Sequence, residues 1–378
     1  MIWGDLYDDP LYRGSVAFTE TEKRGNTMLY DSALWIEDIN RVTEVLPELD
    51  ELAGKSIMIT GAAGLICSAV TDILIRYNET HHEPIRILAA GRWPEEMTAR
   101  FGAYCERPYY RFVRYDSSRT DNSLNVQADY IIHGASNAFP SMVMKEPVET
   151  MLSNFTGVQY LLELARQSGT RRLLYISSSE VYGRKESDQP FREGEYGYID
   201  LLNPRNSYSV GKRAAETLCA SYASEYGVES VIVRPGHIYG PTASPADTRV
   251  SSAWAYDAAQ GKDIVMKSAG TQLRSYCYCL DCASAILKVL LRGENLHAYN
   301  ISNPDSIISI REMAELLAKA GDVKLVREMA TEIEKKGFNP MENSSLDSKS
   351  LLEQGWRGCF NAETGLEHTV TIIKEQIV

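Results

Sequence analysis

Apolar positions along this chain fall into two alternating periods. Ser56-Ile57-Met58-Ile59-Thr60, Ile85 to Ala90, the stretch around Phe112-Val113-Arg114-Tyr115, Tyr130-Ile131-Ile132, Leu173 to Ile176 and Ser230-Val231-Ile232-Val233 are short, apolar and rich in β-branched residues. Such runs predict strands covered on both faces. Between them lie segments with helical spacing: Leu65 to about Tyr77, Pro147 to Ser168, and the stretch rich in helix formers after Tyr208. Strands that alternate with helices predict a doubly wound parallel α/β sheet of the Rossmann type. Ahead of the first strand, the spacing of Leu34, Ile36, Ile39, Val42, Val45, Leu46 and Leu49 predicts an amphipathic helix from Asp31, interrupted at Pro47, that packs over the sheet. Beyond residue 240 the pattern loosens. An exposed turn from Gly270 to Tyr276 enters a strand, a helix runs from about Ile310 to Ala320, and a last helix follows Glu363.

Composition narrows the class. The chain has 378 residues, 44% hydrophobic and 24% charged, with a net charge of −12. That is the make-up of a soluble globular protein, and the charge argues against a nucleic-acid partner. No run of apolar residues is long enough to cross a membrane, and no leader pattern opens the chain, so no membrane partner is expected. The seven cysteines are odd in number and scattered, which fits reduced thiols and a cytoplasmic location better than a disulfide framework. Cys277, Cys279 and Cys282 cluster, but they alternate with Tyr276 and Tyr278 as a strand would, and no second pair follows at metal-binding spacing. They are expected in the core, and no metal is expected.

Two stretches carry chemistry. The first strand runs into Gly61-Ala62-Ala63-Gly64-Leu65-Ile66-Cys67 and then a helix. A strand, a glycine turn and a helix N-terminus form a cradle in which backbone N–H groups approach the pyrophosphate of a dinucleotide. The fifth strand delivers Ser177-Ser178-Ser179-Glu180-Val181-Tyr182-Gly183 to its C-terminal end, where ligands bind in open parallel sheets. Tyr208 and Lys212 follow, four residues apart and therefore on one helical face. An ammonium beside a phenol favours the phenolate, so this spacing predicts a tyrosine pulled toward neutrality, able to take the proton of an alcohol whose carbon loses hydride. After the second strand, Ala89-Ala90-Gly91-Arg92 offers no carboxylate for a ribose 2′-hydroxyl, and Arg92 suits a 2′-phosphate instead.

These residues resemble the extended short-chain dehydrogenase/reductase family in its nucleotide-sugar epimerase/dehydratase branch, over about residues 54 to 375. The carrying segments are Ala135-Ser136-x-Ala138-x-Pro140 with Pro147 and Asn154, Ser178-Ser179-Glu180-Val181-Tyr182-Gly183, Tyr208-x-x-Gly211-Lys212-Arg213, Asp247-x-Arg249-Val250 and Gly270-x-Gln272-x-Arg274-Ser275-Tyr276. Within the branch the chain is most similar to UDP-glucuronate decarboxylases, with 4-epimerases and 4,6-dehydratases as alternatives.

The resemblance implies an N-terminal extension over 1–50, a nucleotide-binding domain with the catalytic residues over 51–240, and a mainly substrate-binding, smaller α/β subdomain over 241–378. It implies that Tyr208 is the base at the sugar C4 hydroxyl, that Ser178 bonds that hydroxyl, and that Lys212 holds the nicotinamide ribose. Glu180 would act on the 4-keto sugar. Gly61, Ala63, Gly64, Leu65, Ile66, Ala135 and Ser136 would line the cofactor site, with Arg92 beside the ribose and Asp116 at the adenine. Arg249 and Arg274 would contact the nucleotide and diphosphate of the substrate. His237 would lie beside them, where the family carries Asn. The cofactor implied is NAD, which the recycling of hydride favours over the NADP that Arg92 suits. The partners implied are a nucleotide sugar and a second copy of the chain, paired through the helices near 147–168 and 206–226 by Leu161, Leu162, Leu164, Leu218 and Tyr222. On the residues alone, Asp116 also fits a helix cap and Arg274 a solvated surface charge.

Overall fold

The computed structural model of the chain describes residues 29–136, 140–330 and 341–377. Ala138 of the fourth-strand motif and residues 1–28 lie outside them. The strands are β1 Ser56–Thr60, β2 Arg86–Gly91, β3 Tyr110–Arg114, β4 Tyr130–His133, β5 Arg172–Ile176, β6 Ser230–Pro235, β7 His237–Tyr239, β8 Ile264–Met266, β9 Leu273–Tyr278, β10 Ala298–Ile301, β11 Ile307–Ser309 and β12 Leu325–Arg327. The helices are α1 Ala33–Glu44, α2 Leu65–Thr80, α3 Pro94–Phe101, α4 Pro140–Lys145, α5 Pro147–Ser168, α6 Ser207–Tyr226, α7 Val250–Ala259, α8 Cys279–Arg292, α9 Ile310–Gly321, α10 Lys349–Glu353 and α11 Ala362–Ile377.

Seven strands form the central sheet in the order β10-β6-β5-β4-β1-β2-β3, every neighbour parallel. All five residues of β1 are buried, because helices cover both faces. Ile57 and Ile59 pack with Val70 and Ile73 of α2 and Ile286 of α8, whereas Met58 turns to Val158 and Leu161 of α5. Chain order reverses between β1 and β4, and the crevice outside their C-terminal ends is where such sheets take ligands. A second sheet, β11-β9-β7, and the pair β12-β8 carry the C-terminal part of the chain.

The stretch beyond residue 240 is more regular than its pattern predicts. Cys279 to Leu290 is buried at every position except Lys288, and Asp281, Ser284 and Lys288 mark a polar stripe at helical spacing. It is α8, which packs on β5, β6 and β10. The strand expected to hold all three clustered cysteines stops at Tyr278, so Cys279 and Cys282 begin this helix instead. The three thiols are buried, and among the described residues no group of three or more His, Cys, Asp or Glu is placed to hold a metal. Strand β10 pairs Ala298 with Ile232 of β6, so the central sheet takes its outermost strand from beyond residue 240.

The N-terminal segment is part of this core. Ser32 caps α1 by accepting from the Trp35 N–H at 3.2 Å, and Trp35, Ile39 and Val42 are fully buried against α2, α8 and α11. Two buried carboxylates pin it. Asp72 of α2 accepts from Tyr30 and from Arg100. Asp38 of α1 accepts from the Tyr278 hydroxyl at 2.9 Å and pairs with His368 of α11 at 2.9 Å.

Candidate functional site

The crevice between β1 and β4 begins with a glycine whose place a larger residue could take only under strain. Gly61 has φ +69°, and a Cβ there would stand 3.0 Å from the Ala135 backbone. Gly64 then precedes the first residue of α2, whose opening turn, with Leu65 and Ile66, carries N–H groups without intrahelical acceptors. On the opposite side, the Thr60 hydroxyl accepts from the N–H groups of Gly134 and Ala135, both at 3.2 Å. Its own proton therefore goes to His133 Nδ1, 2.6 Å away, which leaves the histidine neutral with its proton on Nε2. Burial, with Lys212 nearby, holds His133 down to about 3. Cys67 lies in the first turn of α2, and its Sγ fills the space a Gly134 Cβ would need, 2.3 Å away. The pairing of this side chain with a glycine lets α2 approach β4. A narrow cradle lined by backbone N–H groups fits the pyrophosphate of a dinucleotide.

The adjacent strand ends place the two remaining cofactor candidates. Gly91 lies opposite Arg114 in the β2–β3 register, so Arg92 and Asp116 leave neighbouring strands on the same edge of the crevice. Arg92 is exposed. Asp116 accepts from the Ser118 N–H at 3.0 Å and hydroxyl at 2.7 Å, which closes a local turn and caps no helix. Ser136 donates to Asn154 of α5 at 2.9 Å.

At the end of β5 the structure brings Ser178, Glu180, Tyr208 and Lys212 together. Ser177 is drawn inward, donating to Glu216 at 2.5 Å. Ser178 opens a single 3₁₀ turn over Ser179–Tyr182, its Oγ accepting from the Glu180 N–H at 3.2 Å. Gly211 lets α6 close on Asn154 of α5, which sets Tyr208 and Lys212 against the strand end. The Lys212 ammonium donates to the Ile176 carbonyl at 2.7 Å and lies over the rings of Tyr175 and Tyr208 at 4.7 and 5.6 Å. Burial draws it down to about 7.

The expected effect of Lys212 on Tyr208 is not what the structure shows. Burial, then the Glu180 carboxylate, raises the Tyr208 phenol above its ordinary value, and the Ser178 hydroxyl and Arg249 pull it back. The lysine points its charge at a carbonyl rather than at the phenolic oxygen, so helical spacing alone misjudged the coupling.

Residues beyond 235 supply a cationic wall. His237 of β7 stands opposite Tyr276 of β9 in register, with the rings 5.6 Å apart. Arg274 shares a face with Tyr276. It is buried rather than a solvated charge, and its guanidinium donates to the carbonyls of Leu273 and Met341 at 2.8 and 3.1 Å. Arg249 is held by Asp247 through Nε at 3.0 Å. His237 has open surface yet is closely walled by protein, as a residue lining a cleft is. Burial, Arg274 and Arg249 together lower it to about 4, so it is neutral at pH 7. Arg249 acts on both His237 and Tyr208, so the wall lies near the phenol.

Three supporting groups had no role assigned from the sequence. Ser209 donates to Glu180 at 3.1 Å. Arg213 holds the loop after β5 through the carbonyls of Val181 at 2.6 Å and Gly197 at 2.9 Å. Arg234, 2% exposed, forms a two-pronged pair with Glu216 at 2.9 and 2.6 Å and also reaches the Tyr182 and Tyr196 hydroxyls. The position of Glu216, four residues after Lys212 on the same helical face, was the available signal.

Sequence and fold comparisons point the same way. A UDP-glucuronic acid decarboxylase 6 of Arabidopsis thaliana is 30% identical over 313 residues, 82% of this chain and 86% of the relative. A UDP-glucuronic acid decarboxylase 1 of Xenopus tropicalis is 29% identical over 333 residues, 87% and 74% of the two chains. Among solved structures, a UDP-glucuronic acid 4-epimerase from Bacillus cereus in complex with UDP-glucuronic acid and NAD superposes with a TM-score of 0.70. It is 21% identical, over 85% of this chain and 99% of that one. A dTDP-glucose 4,6-dehydratase from Bacillus anthracis in complex with NAD gives 0.69 at 19% identity, over 85% and 97%. The profile of the NAD dependent epimerase/dehydratase family matches residues 57–302. NAD is thus the cofactor, as the recycling of hydride predicted and against the lean of Arg92. The chain is an enzyme of the NAD-dependent epimerase/dehydratase family.

Proposed function

We propose that this enzyme oxidises C4 of a nucleotide sugar and decarboxylates UDP-glucuronate to UDP-xylose through the 4-keto sugar. The observation that carries the reading is a carboxylate, Glu180, tethered beside Tyr208 and Ser178 in a cleft whose other wall holds Arg249, Arg274 and His237. A base alone suffices for epimerisation, whereas a reaction at C5 uses a second proton-transfer group. The two decarboxylase relatives, each matched over most of its length, support the choice of substrate.

NAD, when bound, accepts the C4 hydride and later returns it. Gly61, Gly64 and the first turn of α2 would hold its pyrophosphate, and Lys212 its nicotinamide ribose. Tyr208 takes the C4 hydroxyl proton. It does so as the phenolate, which Ser178 and Arg249 favour against burial and the Glu180 carboxylate, and it becomes the neutral phenol when the proton arrives. Arg249 and Arg274 bind the diphosphate, and neutral His237 adds a hydrogen bond there without a further charge. With C4 a ketone, the C5 carboxylate belongs to a β-keto acid. The C5–C6 bond breaks, CO₂ leaves, and the electron pair moves to the C4 oxygen as an enolate. Incubation with UDP-glucuronate, followed by mass spectrometry and NMR of the sugar, tests the reading. Loss of CO₂ is expected, and loss of water or no mass change would replace it with dehydration or epimerisation.

The reading includes a dimer. Of the positions expected to pair the copies, Leu161 and Leu162 are fully buried within the subunit, whereas Leu164, Leu218 and Tyr222 are partly exposed. Val148, Met151, Leu152 and Phe155 add an exposed stripe along α5 at helical spacing. Sedimentation at micromolar concentration is expected to show a dimer, and Leu152→Glu to dissociate it.

A further inference from the structure

Glu180 is held at both ends. Its backbone N–H donates to the Ser178 hydroxyl at 3.2 Å, and its Oε2 accepts from the Ser209 hydroxyl at 3.1 Å. Ser209 is buried, whereas Glu180 is exposed along the cleft. A glutamate on an exposed turn has several rotamers of similar energy, and holding one of them takes a specific contact. Ser209 is also the residue after Tyr208 in the first turn of α6. Whatever position the phenol takes, the hydroxyl that grips the carboxylate takes with it.

We infer that Ser209 is a positioning residue that fixes the Glu180 carboxyl group relative to the Tyr208 hydroxyl, so that Glu180 delivers a proton to one face of C5 after CO₂ has left. The inference rests on the decarboxylase reading. In that step the enolate double bond between C4 and C5 supplies the electron pair for a new C5–H bond, and the C4 oxygen becomes a ketone again. The Glu180 carboxylate takes up one proton from solvent through its exposed side and passes it to C5, returning to the carboxylate. Tyr208 takes no part, since it already carries the C4 hydroxyl proton. The geometry therefore divides the labour: Tyr208 and Ser178 serve C4, and Glu180, set by Ser209, serves C5.

The test uses the full-length enzyme with NAD and UDP-glucuronate in D₂O, comparing wild type with Ser209→Ala and Ser209→Thr. Three quantities are read: the rate at which bound NADH forms, the rate of UDP-xylose release, and the face of C5 that carries deuterium. Ser209→Ala is expected to keep the wild-type rate of NADH formation and to lose about 10-fold in product formation, the worth of one hydrogen bond to a charged group. It is also expected to place deuterium on both faces of C5, because a freed carboxyl group no longer outcompetes water from one side. Ser209→Thr, which keeps the hydroxyl, is expected to restore both rate and single-face labelling. Unchanged turnover with single-face labelling in Ser209→Ala would overturn the inference. So would a common fall in NADH formation and product release with the labelling intact, which marks a packing role. A wild-type enzyme that releases no CO₂ would overturn the underlying reading, and the step assigned to Glu180 with it.

Discussion

Two buried polar clusters lie on this sheet, and they differ in how their charges are matched. Beneath α1, every buried carboxylate meets a donor. Asp72 takes Tyr30 and Arg100, and Asp38 takes Tyr278 and His368. At the end of β5, Lys212 is as deeply buried, but its ammonium is bonded to a backbone carbonyl. Glu216, the carboxylate one turn further along α6, is committed to Arg234 and Ser177. A buried charge matched by an opposite one stabilises a packing arrangement. A buried charge left unmatched sits close to titration, as Lys212 does at about 7, and it is held there by the surrounding fold. Perturbed groups of that kind gather where chemistry is done. The paired cluster clamps the N-terminal segment to α2, β9 and α11.

The sharpest way to break this comparison is to remove one group from each cluster. Tyr208→Phe is expected to lower turnover by about 10²–10⁴-fold while leaving the thermal midpoint and nucleotide-sugar binding near wild type. Steady-state kinetics with calorimetry checks it, and near-normal turnover would remove Tyr208 from the base role. Asp72→Ala should do the reverse. It strands Arg100, whose side chain is 12% exposed, and the loss of one partner from such a pair costs about 3 kcal/mol of stability. Denaturant unfolding should register that loss, with kcat of the folded fraction little changed.

Smaller effects sharpen the picture. Gly61→Ala forces a side chain into the left-handed region and against the Ala135 backbone, at a cost of about 1–2 kcal/mol. Calorimetric titration with NAD should show weakened binding. The smallest effect belongs to His368. The hydrogen bond to Asp38 raises its pKa, with Glu367 adding and burial and Arg41 opposing. A histidine raised in the folded state contributes its stability fully below the unfolded value of about 6.5 and loses it as pH rises through the folded value. The stability difference between wild type and His368→Gln should therefore be largest at acid pH, about 1 kcal/mol, and shrink as pH is raised. A difference independent of pH would make the contact simple packing.

Much of the frame was legible in the chain. A parallel strand covered on both faces has to be an apolar run, so β1, β2, β4, β5 and β6 were marked to within a residue or two. Caps and breakers marked helix ends as well: Pro147 begins α5, and Gly169, at φ +68°, ends it. Local spacing also put Ser178 and Glu180 at one strand end and Tyr208 and Lys212 on one helical face, since a strand, a turn and one helical face are short-range geometry; that the two sets meet was implied only by the resemblance. Two elements beyond residue 240 went unread. In α8 the polar stripe of Asp281, Ser284 and Lys288 has helical spacing, but the segment opens on cysteines that continue the pattern of the preceding strand, and in β10 four residues carry too little pattern.

What the sequence determined by itself is the set of local units: which segments are strands or helices, where they turn, and which side chains share a face. Only the tertiary structure decided how those units meet. It turned Lys212 toward the Ile176 carbonyl, set the Glu180 carboxylate where it raises the Tyr208 phenol, and buried Arg274 in the cleft wall. It also filled the space beside Gly134 with Cys67 and carried β10 across residue 240 to complete the sheet. The physical reason is range. Backbone propensity and helical or strand period act over a few residues, whereas burial and charge coupling depend on groups brought together from distant parts of the chain.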